Sequence, residues 1–311
     1  MKQLKQTASS NLKRSVFALA FMAFTLIANA EGFTVDGITY EILSLEDWTV
    51  QVGYEGLPTK GDVEIPEKVE YKGLTFDVVA VSSLVGPDGS NPNLNSLKLP
   101  KSIKRFGRVG LWYGLRDYTI KKLIITDLEA WNNIEFCLPG GGTDGVYNPL
   151  FVSDEFYLNE QRIDTLTIPN TITEVKSGVF SYSKIKALII PKSVSSIGSG
   201  AFHSSEHLKK LEIPSSLEYV GSGAFSGCDS LESVHFEDGC KLEKIDFIGG
   251  RRIKDFHIPQ SAKSVFFSGS DSLRSISFPA NIEEIEGFKN CPNLEIVESY
   301  IADPFPIDAF D

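Results

Sequence analysis

Cysteine is scarce in this chain. Four among 311 residues are too few to staple a scaffold by disulfides. Positive charge is scarce too: 30 Lys+Arg stand against 41 Asp+Glu. Four of those 30 (Lys2, Lys5, Lys13 and Arg14) sit in the first thirty residues, which hold no acid. Without that stretch the net charge is −15, a surface that repels phosphate backbones and excludes nucleic acid as a partner. Long apolar runs are absent except for one near the N-terminus, so no integral membrane segment is expected once that run is removed. No G-x-S-x-G, H-E-x-x-H or P-loop occurs. What is present is an ordinary apolar fraction, 42%, enough to build a core and to exclude global disorder.

The single apolar run, Val16 to Ala28, follows the basic residues and ends in Ala28-Asn29-Ala30, a small-x-small cleavage site. Residues 1–30 read as a secretory signal peptide, with Glu31 as the mature N-terminus. No cysteine follows the run, so a lipid-anchoring cleavage site is not expected. The expectation is export to the cell surface or the medium, with the periplasm as a further destination.

The mature chain repeats itself. Ile163 begins IDTLTIPNTITEVKSGVFSYSK, Ile185 begins IKALIIPKSVSSIGSGAFHSSEH, and Leu208 begins LKKLEIPSSLEYVGSGAFSGCDS. Prolines fall at 169, 191 and 214, and phenylalanines at 180, 202 and 225, a period of 22 to 23. Looser copies open at Leu231, Ile253, Leu273 and Leu294, and upstream at Leu94 and Ile120. About nine rungs result, enough for a stacked array whose single units could not fold alone.

Each rung has a physical reading. Alternation in L-x-x-L-x-I-P makes a short strand with its apolar side inward, and the proline, lacking an N–H, ends it. In V-x-x-I-G, as at Val194 to Gly198, two more aliphatics point inward and the glycine is expected to turn through positive φ. The S-G-A-F segments should stack one phenylalanine on the next as an aromatic ladder. The expected fold is a β-rich (α/β-type) leucine-rich-repeat solenoid with 22–23-residue rungs, short parallel strands and an N-terminal β-hairpin cap.

The pattern L-x-x-L-x-I-P-x-x-V-x-x-I-G-x-x-A-F-x-x-C resembles the BspA-like leucine-rich repeats of bacterial surface proteins. Residues 208–228 match it at every named position, with Leu217 and Val220 as aliphatic equivalents. The opening is similar to that family too, in FTVDGITY from Phe33, GDVEIP from Gly61 and YKGLTF from Tyr71. The resemblance spans essentially the mature chain. It implies cell-surface or secreted adhesion and protein binding.

Residues 31–85 are expected to form a β-rich cap, since Asp36-Gly37 and Lys72-Gly73 are hairpin signals. The solenoid would occupy 86–311, with an insertion at about 107–160 that contains the glycine-rich run 139–145. That run fits G-x-G-x-x-G but opens no helix, so it reads as a loop. Trp112, Tyr113, Trp131 and Tyr147 in the insertion are candidate contact aromatics, against the alternative that they pack it onto the rungs. The C-terminus breaks off inside what reads as a further coil, so a continuation, a frayed final coil or a covering partner is expected there.

Two outward columns complete the reading. The fifth rung position brings Glu212, His235 and His257 into line about 5 Å apart, and the third brings Lys210, Ser233 and Asp255. Lys210, Glu212, His235, Asp255 and His257 are therefore candidate ligand-binding residues on a mixed polar face suited to an extracellular or host protein, or to a glycan. The leading expectation is a non-enzymatic binding or adhesion protein without cofactor. One alternative is a metal-binding protein or metal-dependent hydrolase using Glu212, His235 and His257, or His203, Glu206 and His207, which fit H-x-x-E-H. Another is a structural spacer for a missing C-terminal region. Cys228 and Cys291 should be buried thiols, and a Cys228–Cys240 disulfide is a further option.

Overall fold

A computed structural model describes residues 32–53, 56–84, 93–108, 119–136, 148–248, 250–288 and 291–301. The expected signal segment lies outside them, as do Trp112, Tyr113, Tyr147 and the run 139–145. Strands this short cannot stand alone, and the chain lays them down alternately in two walls. The first wall holds eleven among the described residues: Lys60–Glu64, Asn93–Leu99, Thr119–Ile125, Ser153–Leu158, Thr165–Thr167, Ala187–Ile189, Lys210–Ile213, Ser233–Phe236, Asp255–His257, Ser275–Phe278 and Ile296–Ser299. The second holds ten: Thr49–Val52, Leu74–Ser83, Arg105–Arg108, Glu135–Phe136, Glu174–Val175, Ser196–Ile197, Tyr219–Val220, Lys244–Ile248, Ser264–Ser268 and Glu284–Glu286. Neighbours pair in parallel, with inward residues in register such as Leu166 with Leu188 and Leu211 with Val234.

Nine of the first-wall strands are the rungs expected from the repeat. The other two lack its landmarks: Lys60 and Ser153 stand where the leading leucine belongs, and Asn159 (φ 55°) replaces the second one's proline. Both walls break twice, at matching levels, so the solenoid consists of three ladder blocks. The first-wall ladders cover 60–158, 165–236 and 255–299; the second-wall ladders cover 49–136, 174–220 and 244–286.

In the middle block each coil has a third bonded side. Gly178, Phe180 and Tyr182 donate backbone N–H groups to Ser199, Ala201 and His203, and Gly200, Phe202 and Ser204 donate to Ser222, Ala224 and Ser226. Behind this side Phe180, Phe202 and Phe225 are buried and stacked, with ring centroids 5.5 and 5.3 Å apart. The expected ladder is present here, and Phe267 and Phe288 stack likewise at 5.4 Å in the C-terminal block. The glycine of V-x-x-I-G acts differently from the expectation. Positive φ belongs to the glycine two residues on, Gly200 (61°) and Gly223 (62°). Gly198 and Gly221 instead permit close approach: a Cβ there would lie 2.5 Å from Ser177 N and 2.4 Å from Ser199 N.

In the N-terminal block the ladders run across two of the expected boundaries. Asp36-Gly37 and Lys72-Gly73 do turn antiparallel hairpins, all four residues at positive φ. Yet the stacked ladders begin inside 31–85, where Thr49–Val52 pairs Leu74–Ser83 and Lys60–Glu64 pairs Asn93–Leu99. The interruption expected at 107–160 does not break them, since Thr119–Ile125 pairs Ser153–Leu158 on one wall and Glu135–Phe136 pairs Arg105–Arg108 on the other.

What joins this block to the next is a set of side chains. Asp127 caps a short helix, Leu128–Asn132, by accepting from Ala130 N at 2.8 Å. The helix sets Asn132 against the edge of the middle block, where its amide donates to Glu174 O (2.9 Å) and accepts from Lys176 N (3.1 Å), two bonds of the kind a neighbouring strand would make. Asn148 donates to Gly178 O and Val179 O. Trp131, expected among the contact aromatics, is 1% exposed. Its indole donates to Val179 O at 3.0 Å and its ring packs on Phe136 and Phe156. A residue so enclosed is a strut between blocks and presents nothing to a ligand.

Candidate functional site

The outward columns of the first wall form as the alternation requires. Ladder pairs place Asp62, Ser96, Lys122 and Glu155 in one N-terminal column and Glu64, Lys98, Ile124 and Tyr157 in the other. In the middle block the columns read Thr165, Ala187, Lys210, Ser233 and Thr167, Ile189, Glu212, His235. In the C-terminal block they read Asp255, Ser275, Ile296 and His257, Ser277, Glu298. Lys210, Glu212, His235, Asp255 and His257 are all exposed on this wall.

Their surroundings differ along the wall. N-terminal charges are matched to one another: Ser96 donates to Asp62 at 2.6 Å, Lys98 to Glu64 at 2.7 Å, and Arg162 to Glu155 at 2.7 Å. The Tyr157 hydroxyl donates to Glu155, which pushes the phenol pKa up. In the C-terminal block Ser275 donates to Asp255 at 2.5 Å, and His257 Nδ1 lies 3.1 Å from the Ser277 hydroxyl. The middle block is different. Its columns set Thr165, Thr167, Ala187 and Ser233 around Ile189, which is as exposed (51%) as Ile296 in the C-terminal columns (53%), and among the described residues Lys210 and Glu212 make no side-chain hydrogen bond or ion pair.

The column expected to carry Glu212, His235 and His257 as neighbours is split. Glu212 pairs His235, but a ladder break separates His235 from His257. His203, Glu206 and His207 lie in a turn between rungs, where the two histidines have no helix to share. Burial lowers the His203 pKa, and its ring meets Tyr182 edge-on at 5.6 Å. Among the described residues no three His, Cys, Asp or Glu side chains gather as a metal site.

Cys228, Cys240 and Cys291 are free, so the Cys228–Cys240 bridge is not formed. Burial pushes the Cys228 thiol up to about 12, which leaves it inert as a nucleophile.

Comparison with known families and folds agrees with this geometry. The family described as "BspA type Leucine rich repeat region" matches residues 151–266 and 242–301, in six copies. A leucine-rich repeat protein from Bacteroides ovatus is 19% identical, with a TM-score of 0.50 over 86% of this chain and 71% of that one. A leucine rich cell surface protein from Faecalibacterium prausnitzii is 16% identical, with a TM-score of 0.39 over 91% of this chain and 98% of that one. The pneumococcal vaccine antigen PcpA is 18% identical, with a TM-score of 0.46 over 86% of this chain and 69% of that one. No curated protein matches the chain. The repeat, its rung geometry and the family match together make residues 151–301 of this chain a BspA-type leucine-rich-repeat region.

Proposed function

We propose that this is an exported binding protein with no catalytic role, which engages an extracellular protein through the middle block of its first wall. The observation that carries the reading is the middle of the columns: exposed Ile189 stands beside Lys210 and Glu212, which make no side-chain bond among the described residues, next to an N-terminal stretch whose charges satisfy one another. An exposed apolar side chain rimmed by free charges is the composition of a contact patch. Asp255 and His257 lie farther along the same wall. Trp112, Tyr113 and Tyr147, outside the described residues, belong to the stretch proposed to border the face. Export rests on the N-terminal pattern of basic residues, apolar run and Ala28-Asn29-Ala30. Among the described residues no helix is long and apolar enough to cross a membrane.

The test is surface binding of the full secreted chain to a panel of immobilised extracellular-matrix proteins, before and after enzymatic removal of their glycans. Ile189→Asp is expected to abolish binding to a partner that wild type captures, and glycan removal to leave it intact. Wild-type behaviour of the variant, or binding lost with the glycans, would overturn the reading.

A further inference from the structure

The second wall of the C-terminal block departs from the repeat at one position. The place occupied by Gly198 and Gly221 in the middle block is filled by Asp246, Phe266 and Glu286 in successive coils. These three are in register across the ladder, Asp246 with Phe266 and Phe266 with Glu286. The second-wall strands lengthen here as well, from two residues in Tyr219–Val220 to five in Lys244–Ile248 and Ser264–Ser268. Where the middle block closes its wall tightly over glycine, this block opens a groove lined by Ser222, Lys244, Asp246, Phe266, Glu284 and Glu286. Gly287 makes room for it: a Cβ there would lie 3.2 Å from Phe266 Cε2.

Asp246 is the unusual member. Its residue is 8% exposed. One carboxylate oxygen accepts from the Ser222 hydroxyl at 3.1 Å, and the other is shut away from solvent with no hydrogen-bond partner. A carboxylate oxygen held from water without a donor is costly, and the repeat has a free alternative in glycine. The groove as a whole carries three carboxylates against one ammonium, with the half-buried Phe266 ring between two of the acids. Unsatisfied acceptor, surplus negative charge and an aromatic surface together specify one kind of guest.

We propose that this groove is a binding site for a basic side chain, a guanidinium or ammonium presented by a protein partner. A turn of the Asp246 carboxylate presents its orphaned oxygen to the donor in the groove it lines, the cation rests against Phe266, and Glu284 and Glu286 close around it. The site is on the second wall and stands independently of the first-wall reading.

The experiment is an amide-resolved NMR titration of the full secreted chain with a short acetylated Gly/Ser peptide carrying one arginine, alongside the same peptide carrying citrulline. The arginine peptide is expected to shift amides of Lys244–Ile248, Ser264–Ser268 and Glu284–Glu286, and the citrulline peptide to leave them in place. Asp246→Asn should weaken the interaction roughly tenfold, the loss of a charge-assisted hydrogen bond. Glu64→Gln on the first wall should not alter it. Glu286→Gln, at an exposed position, supplies the same test if Asp246→Asn perturbs the fold. Equal binding of citrulline, shifts scattered over the acidic surface without preference for the groove, or undiminished binding by the groove variants would overturn the proposal.

Discussion

The middle and C-terminal blocks are made from the same coil, yet one is closed and the other open. The middle block binds successive coils along three sides, stacks Phe180, Phe202 and Phe225, and keeps glycine after two of its three second-wall strands, at Gly198 and Gly221, with Lys176 after the first. In the C-terminal block the turns keep the bonds within themselves that the middle block also has, Cys291 N to Phe288 O matching Cys228 N to Phe225 O, but among the described residues no backbone bonds join one such turn to the next. Side chains replace the glycine, and one of them leaves a buried oxygen unsatisfied. In a stacked array, stability is close to a sum over coils and their interfaces. A block that forgoes contacts at one position therefore loses locally, and what it gains must be a surface.

That difference can be broken by exchanging the character of one position. Gly221→Ala puts a Cβ 2.4 Å from the Ser199 backbone nitrogen, so it should destabilise by about 1–3 kcal/mol through overpacking. Asp246→Ala, at the equivalent place one coil on, should do the reverse. It removes the orphaned carboxylate oxygen and should raise the urea midpoint by about 1 kcal/mol equivalent. Equal effects of both changes would show that the two walls do not differ in packing.

A smaller effect sharpens the same contrast. His203 stands on the third side, which is bonded from coil to coil in the middle block, and burial lowers its folded pKa. Folding there disfavours the charged form. Its contribution is fully present above the unfolded value of about 6.5 and declines as pH falls through that value toward the folded one. Unfolding midpoints measured between pH 7.5 and 5 should therefore drop in wild type, and His203→Gln should remove that part of the slope.

Much of this architecture was legible in the sequence because proline and paired aliphatics recur at fixed spacing. Nine first-wall strands follow from Leu94 to Leu294 on that ground. Two stayed hidden because Lys60 and Ser153 replace the leading leucine, and pairing, not pattern, makes them strands. The outward columns were legible too, since a period of two leaves no choice of face. Trp131 was not: an aromatic in an irregular stretch reads the same whether it faces solvent or a neighbouring coil, and only the helix capped by Asp127 turns it inward. The ladder breaks were equally silent, because the repeat runs on from Leu231 to Ile253 although strands Ser233–Phe236 and Asp255–His257 belong to different ladders. For the second-wall groove a signal did exist. Aligning the coils puts Asp246, Phe266 and Glu286 on the glycine of the repeat, and three such side chains in succession, where the middle block has only Lys176, mark a wall that has opened.

The most direct measurement is native-state hydrogen exchange of the chain from Glu31 to Asp311, resolved by amide and followed as urea rises. Amides bonded between coils in the middle block, including Phe180, Phe202 and Gly200, are expected to exchange only through complete unfolding, with the full urea dependence. Those of Lys244–Ile248, Ser264–Ser268 and Ser275–Phe278 should share a separate opening of lower free energy and shallower slope. A single free energy and slope across 165–299 would contradict the division into a closed block and an open one.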